Sequence, residues 1–201
     1  MTGRRASPMT PEQRRADIVA AALPLLREHG KAVTTRQIAD AAGVGEGTIF
    51  RVFGDKSELI EAVVMSACDP RPGVRALSEI DPGAPLAERL VEIVRITQQR
   101  VVSLMTLLTA LGRSRPPEEY RPPPGESRAA RFADLAEAIS ALIEADRDRL
   151  RVSPSEFTRL LRIVTIAASH PGITDAQPMS AEEIVDLLLH GALRQDGAPP
   201  C

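Results

Sequence analysis

The residues whose types and spacing could do chemistry are concentrated between Thr34 and Leu59. This stretch reads TTRQIADAAGVGEGTIFRVFGDKSEL and combines hydroxyl, guanidinium and carboxylate groups with closely spaced glycines. A helix that begins at Thr34 meets Gly43, and a second short helix follows Val44. Gly43 can take the left-handed backbone conformation that a sharp turn needs. The spacing predicts a helix-turn-helix, in which the second helix offers its outward residues to the major groove of duplex DNA.

Catalysis and metal binding find no comparable support in the sequence. It contains no H-E-x-x-H or G-x-S-x-G motif, and its three histidines lie far apart without ligand partners at metal spacing. The three glycines of the turn lack the preceding strand that a phosphate-cradling loop requires. Two cysteines do not form a disulfide framework. We therefore expect no catalytic residue, no metal, no cofactor and no enzymatic activity.

Composition indicates that helices position these residues. The chain has 201 residues, of which 43% are hydrophobic but only 2% aromatic, so Leu, Ile, Val and Ala must fill the core. Sheets usually rely on aromatic and β-branched residues, so this composition favours an all-α fold. No apolar run approaches the roughly 20 residues of a membrane span, and the basic N-terminus has no apolar stretch behind it. We expect a cytoplasmic protein without membrane contact.

Capping signals and helical periodicity predict where the helices begin and end. Thr10-Pro11-Glu12-Gln13 starts the first helix, and Gly30 closes it. Asp55, Ser153 and Ser180 each stand in front of a further amphipathic segment. The remaining predicted helices cover residues 34–43, 46–53, about 86–111 and about 126–150, with a short one around 74–80. Prolines and glycines make residues 69–85 a linker and residues 113–125 a loop.

The amino-terminal third resembles the TetR family of transcriptional regulators. The resemblance spans about residues 12–66 and is carried by an ordered series of segments. These are Glu28-His29-Gly30, Thr34–Ala39, Ala41–Val44, Gly47–Arg51 with Phe53, and Lys56–Leu59. It implies an all-α chain with an N-terminal helix-turn-helix DNA-binding domain (residues 1–68), a linker (69–85) and a larger helical ligand-binding and dimerisation domain (86–201).

The resemblance also assigns DNA-contacting roles to matching positions. The predicted set is Thr35, Arg36, Gly45, Glu46, Thr48, Phe50, Arg51 and Lys56. Thr35, Thr48 and Lys56 match positions that hold phosphates, whereas Arg36 matches one that can read a guanine. Three residues depart from the family pattern: Gly45 lacks a capping hydroxyl, Phe50 lacks a phenol group, and Glu46 is acidic. Glu46 repels phosphate, so it either accepts a hydrogen bond from a cytosine amine or points away.

Family resemblance further implies a ligand cavity and a dimer interface in the second domain. The predicted cavity residues are Thr97, Gln98, Met105, Leu108, Tyr120, Phe132, Ile139 and Ile143. Because these side chains are mostly apolar, a small hydrophobic effector is expected. The predicted interface residues, from the last two helices, are Phe157, Leu160, Leu161, Val164, Ala168, Ile184, Leu187 and Leu188.

The expected function is that of a homodimeric regulator that binds a roughly palindromic operator in double-stranded DNA. A repressor released by its effector is the leading interpretation, and a basic arm containing Arg4, Arg5, Arg14 and Arg15 could add phosphate contacts. Two other classes remain open. One is an all-helical enzyme or small-molecule binder that does not touch DNA. The other is a helical module whose last two helices bind a different protein.

Overall fold

A computed structural model describes residues 10–113, 132–175 and 177–192, and every regular element in these ranges is helical. The all-α prediction is confirmed. The helices are α1 (Pro11–His29), α2 (Thr35–Ala41), α3 (Glu46–Phe53), α4 (Lys56–Ala67), α5 (Arg71–Leu77), α6 (Leu86–Ala110), α7 (Ala133–Ile143), α8 (Pro154–Ser169) and α9 (Ala181–Ala192). Short 3-10 segments occupy Gly30–Ala32 and Glu144–Arg149. Within the ranges described, no helix has the length and apolarity needed to cross a membrane.

Helix starts follow the predicted caps. At α1, the Thr10 hydroxyl accepts from the Gln13 backbone N–H (3.2 Å), and the Gln13 side chain accepts from the Thr10 N–H (2.9 Å). The same reciprocal pair of bonds, between Thr34 and Gln37, caps the start of α2. At α4, Asp55 Oδ1 accepts from the backbone N–H that lies three residues ahead (2.9 Å). Each bond satisfies a helical N–H group that would otherwise lack a partner.

Two predicted boundaries are wrong. The short helix expected around residues 74–80 is α5, Arg71–Leu77, because Pro72 lies in its first turn, where a missing N–H group has no cost. Within the helix expected over 126–150, the described residues are α-helical at Ala133–Ile143 and then form the 3-10 segment Glu144–Arg149. Residues 126–131 lie outside the described residues. The predicted positions Arg4, Arg5 and Tyr120, and most of the predicted loop 113–125, lie outside the described residues.

The chain divides into two compact units. The described part of the first unit comprises residues 10–68 and 106–113, so α6 contributes its last turn to this unit. Its core consists of residues from α1 to α4 together with Leu107, Leu108 and Leu111. The described part of the second unit comprises residues 69–105, 132–175 and 177–192. Its core is built by α5, α6, α7, α8 and α9 around buried side chains such as Leu90, Ile143 and Phe157.

Candidate nucleic-acid interface

Helices α2 and α3 form the helix-turn-helix that the sequence predicts. Gly43 adopts a φ of +64°, and the Val44 N–H donates to the Ala39 carbonyl (3.0 Å), which closes the turn. Ile38 of α2 and Ile49 of α3 are both fully buried. These apolar contacts fix the two helices against each other and determine which side of α3 faces outward.

The outward side of α3 carries the residues predicted to meet DNA. Phe50 is 48% exposed, and Glu46 and Arg51 are exposed as well, whereas Ile49 and Phe53 are buried. Arg36 of α2 is exposed too. Helical geometry places residues 46 and 50 one turn apart on the same side. These four predicted contact residues therefore stand on accessible positions of the helix-turn-helix.

The remaining predicted residues of this set are only partly accessible or already engaged. Thr35, Thr48 and Lys56 are half-buried, and Gly45 is exposed at the N-cap of α3. The Lys56 ammonium donates to the carbonyl of Lys31 (2.7 Å) and so ties the first turn of α4 to the segment after α1. An ammonium has three N–H donors, so two others stay available to a phosphate.

Sequence reasoning did not foresee the hydrogen bond that joins two of the predicted residues. Thr35 Oγ1 donates to Glu46 Oε1 (2.5 Å), and this bond links the first residue of α2 to the first residue of α3. The two residues are eleven positions apart, and no local sequence pattern predicts such a contact. The Thr35 hydroxyl that is predicted to hold a phosphate thus donates to a carboxylate of the same chain.

A basic cleft lies beside the recognition helix. It has a volume of about 510 Å³, and its lining consists of Pro11, Glu12, Arg14, Arg15, Arg51 and Val52. The Arg15 guanidinium stacks 4.4 Å from the centre of the Phe53 ring and donates to the Val52 carbonyl (3.3 Å). Packing thus places basic residues of α1 next to Arg51 and extends the positive surface beyond α3.

The described members of the predicted cavity set are distributed over both compact units, and their role as ligand contacts stays a prediction. Leu108 is buried in the first unit, whereas Ile139 and Ile143 are buried in the core of the second. The Thr97 hydroxyl donates to the carbonyl of Ile93 (2.8 Å) within its own helix. The Gln98 side chain donates to the Met179 carbonyl (2.8 Å). Both polar groups therefore have a hydrogen-bond partner within the second unit.

Half of the predicted dimer residues also face inward. Phe157, Leu161, Ala168 and Ile184 are buried within the second unit of the same chain. The helix α8 carries apolar residues on two sides, and the composition of the dimer interface stays a prediction. The exposed large apolar side chains of this region are Ile163, Ile166, Ile173 and Leu187. Of these, only Leu187 belongs to the predicted set.

The described ranges contain no group of three or more His, Cys, Asp or Glu side chains suited to hold a metal ion. What the first unit offers is an exposed, partly basic short helix that a glycine turn fixes against a second helix. This arrangement defines a helix-turn-helix DNA-binding protein.

Comparison with known proteins finds a family model that matches the helix-turn-helix region. The family model for bacterial regulatory proteins of the TetR family matches residues 18–63, which span most of α1 through α4. The match covers about a quarter of the chain and makes this segment similar to the amino-terminal region of TetR-family regulators, which bind operator DNA and act as dimers.

Individual relatives are similar over different lengths. An uncharacterized HTH-type transcriptional regulator of Mycobacterium tuberculosis is 24% identical over 188 residues, covering 88% of this chain and 74% of the relative. The uncharacterized HTH-type regulator YvkB of Bacillus subtilis is 39% identical over 74 residues, covering 36% of this chain and 38% of YvkB. The crystal structure of NalD from Pseudomonas aeruginosa, the secondary repressor of the MexAB-OprM multidrug efflux pump, shares the fold. It is 23% identical with a TM-score of 0.53, covering 92% of this chain and 99% of NalD.

Proposed function

We propose that the protein is a dimeric repressor that places the exposed side of α3 in the major groove of a roughly palindromic operator. The observation that carries this proposal is the division of α3 into a buried side, with Ile49 and Phe53, and an exposed side with Phe50 and Arg51. A short helix that is anchored on one side and polar and accessible on the other can enter the groove without unfolding. Arg36 supplies a second exposed cation from α2.

A pair of chains is needed because one short helix buries little surface. Two recognition helices related by a two-fold axis reach successive major grooves about 34–36 Å apart, and this gives a palindromic site. In our proposal the second copy covers the exposed apolar side chains of α8 and α9, namely Ile163, Ile166 and Leu187. Ile163 and Ile166 lie three positions apart on α8, and exposed apolar side chains that form a contiguous patch commonly mark association surfaces.

Release by a small hydrophobic effector would act through α6. The first part of this helix belongs to the second unit, and its last turn belongs to the first. In the first unit that last turn lies so close to Gly30 that a Cβ atom there would fall 2.2 Å from the Ala110 carbonyl oxygen. Just beyond α6, Arg113 forms an ion pair with Glu61 of α4. An effector that displaces α6 would therefore shift the base of the helix-turn-helix and favour a state with the wrong half-site spacing.

Selection from a random duplex library tests the DNA-binding surface. The wild-type chain is expected to enrich a palindrome, and binding to it is expected to weaken steeply with salt. Arg36→Ala and Arg51→Ala should each weaken binding to the selected duplex by about 1–3 kcal/mol, or roughly 5- to 150-fold. Arg75→Ala, which removes an exposed arginine from the second unit, is the matched control.

Two results would contradict the proposal. If Arg36→Ala and Arg51→Ala bind the selected duplex as tightly as Arg75→Ala does, these residues do not form the interface. If the wild-type chain enriches no sequence and its weak DNA binding is insensitive to salt, the α3 surface does not read DNA.

A further inference from the structure

Glu46 occupies a position where a negative charge is costly for a DNA-binding surface. It is the first residue of α3, it is exposed, and the arginines at positions 36 and 51 are exposed on the same helix-turn-helix. An uncompensated carboxylate at this place repels the DNA backbone and weakens non-specific binding. A residue with that cost requires a compensating contact.

The structure holds this carboxylate in place by one oxygen. Oε1 accepts the hydroxyl hydrogen of Thr35 (2.5 Å), so the side chain is drawn toward the first turn of α2. Its second oxygen, Oε2, has no hydrogen-bond partner in the part of the chain that the structure describes. An ionised carboxylate accepts about four hydrogen bonds, so the group keeps unused acceptor capacity.

The two residues that flank Glu46 leave open space at their own side-chain positions. The neighbours of Glu46 on both sides are glycines, and a Cβ atom built on Gly45 or Gly47 meets nothing within 4 Å. Residues 45–47 therefore carry a single side chain, that of Glu46, at the amino-terminal end of the recognition helix. That end of such a helix is the part that reaches base edges.

We propose that Glu46 is a specificity-determining residue that selects a cytosine in each half-site. Oε2 accepts from the cytosine N4 amino group in the major groove, while Thr35 acts as a positioning residue that holds Oε1. A carboxylate has no donor, so it is repelled by the acceptors of guanine (N7, O6) and thymine (O4). Adenine places its N7 acceptor beside its amino group, which leaves cytosine as the favoured base. This inference rests on the proposed DNA-binding function of α3.

A glutamine at position 46 tests the effect of the negative charge while the length of the side chain stays the same. Glu46→Gln keeps the length of the side chain and an oxygen that can accept from Thr35, but it adds an amide donor and removes the charge. The random duplex library is selected with wild type, Glu46→Gln and Thr35→Val. Affinity for a pool of unselected duplex is measured in parallel for each protein. Glu28→Gln, which removes the same charge from an exposed position on α1, is the matched control.

We expect one fixed cytosine per half-site for wild type and for Glu28→Gln. With Glu46→Gln the preference for that cytosine should fall roughly 5- to 150-fold, as expected for the loss of one base-reading contact. Its affinity for unselected duplex should rise, and more than it does for Glu28→Gln. Thr35→Val should weaken the cytosine preference without a rise in affinity for unselected duplex, because the charge remains.

The outcomes distinguish this inference from the function on which it rests. If wild type enriches a palindrome and Glu46→Gln retains the same preference at every position, the role of Glu46 is refuted while the regulator stands. If Glu46→Gln and Glu28→Gln change both measurements equally, the effect is one of net charge and the specificity role is likewise refuted. If wild type enriches no sequence, both proposals fall.

Discussion

Substitution of Gly30 tests the close contact between the end of α1 and the last turn of α6 in the first unit. This residue closes α1 with φ +57° and ψ −140°, and its own N–H donates to the carbonyl of Leu26. A Cβ atom added here would lie 2.2 Å from the carbonyl oxygen of Ala110 and 3.1 Å from its carbonyl carbon. The obstacle is backbone, which cannot rotate away as a flexible side chain can. Gly30→Ala should therefore force α1 and the last turn of α6 apart.

Two costs add up in the Gly30→Ala variant. A non-glycine residue in this sparsely populated backbone region costs about 1–3 kcal/mol. Overpacking in a tight contact costs about another 1–3 kcal/mol as the backbone shifts. The free energy of unfolding should thus fall by about 2–6 kcal/mol. Gly112→Ala is the matched control, since Gly112 has φ +64° but nothing within 4 Å of its added Cβ. It should lose only about 1–2 kcal/mol, the cost of a left-handed non-glycine residue.

Urea unfolding of the two variants beside wild type, followed by circular dichroism, measures both losses. Affinity for the selected duplex is expected to fall with Gly30→Ala more than with Gly112→Ala, because the displaced turn supports the helix-turn-helix. If the two variants lose the same free energy of unfolding, within about 0.5 kcal/mol, the close approach between Gly30 and Ala110 does not exist in solution. The coupling of α6 to the DNA-binding surface would then lose its basis.

Two further predictions concern the second unit. Arg89 is only 4% exposed and forms an ion pair with Asp146. Burial by itself would raise the pKa of Asp146. Hydrogen bonds from Arg149 and Arg89 outweigh this effect of burial and lower the pKa of Asp146 below its ordinary value of 3.8. The stabilisation from the Asp146 carboxylate is thus complete above its unfolded-state pKa and is lost as the pH falls through the lowered pKa. Asp146→Asn should cost about 3–5 kcal/mol in urea unfolding at pH 7. This cost should shrink steadily as the pH is lowered below that range, and a cost independent of pH would contradict the ion pair. Ile166→Glu with Leu187→Glu should convert the dimer to a monomer in sedimentation velocity without loss of helix content, because both side chains are exposed within the chain; an unchanged dimer would place the interface elsewhere.

Features set by neighbouring residues could be predicted from the sequence. The caps at Thr10, Thr34 and Ser153 depend on residues three positions apart, and the turn at Gly43 depends on one glycine between two short helices. Local chemistry of this kind decides where a helix begins or ends. These local signals were sufficient to predict the helix-turn-helix and the exposed side of α3.

Features set by distant residues could not be predicted. The bond from Thr35 to Glu46 crosses a turn, and the approach of Gly30 to Ala110 joins segments eighty positions apart. Thr97 interrupts an apolar band in the sequence, but its hydroxyl bonds within its own helix. Periodicity also fails where a helix is apolar on two sides. In α8, Phe157 faces the core and Ile166 faces outward, and hydrophobicity alone does not distinguish them.

We propose that two copies of α3 enter successive major grooves on one side of a duplex. Hydroxyl-radical footprinting of the wild-type chain on its selected duplex tests this arrangement. Two protected patches are expected, with centres about 10–10.5 base pairs apart or a multiple of that spacing. Arg51→Ala should weaken both patches equally. A single patch, or two patches on opposite sides of the duplex, would contradict the claim.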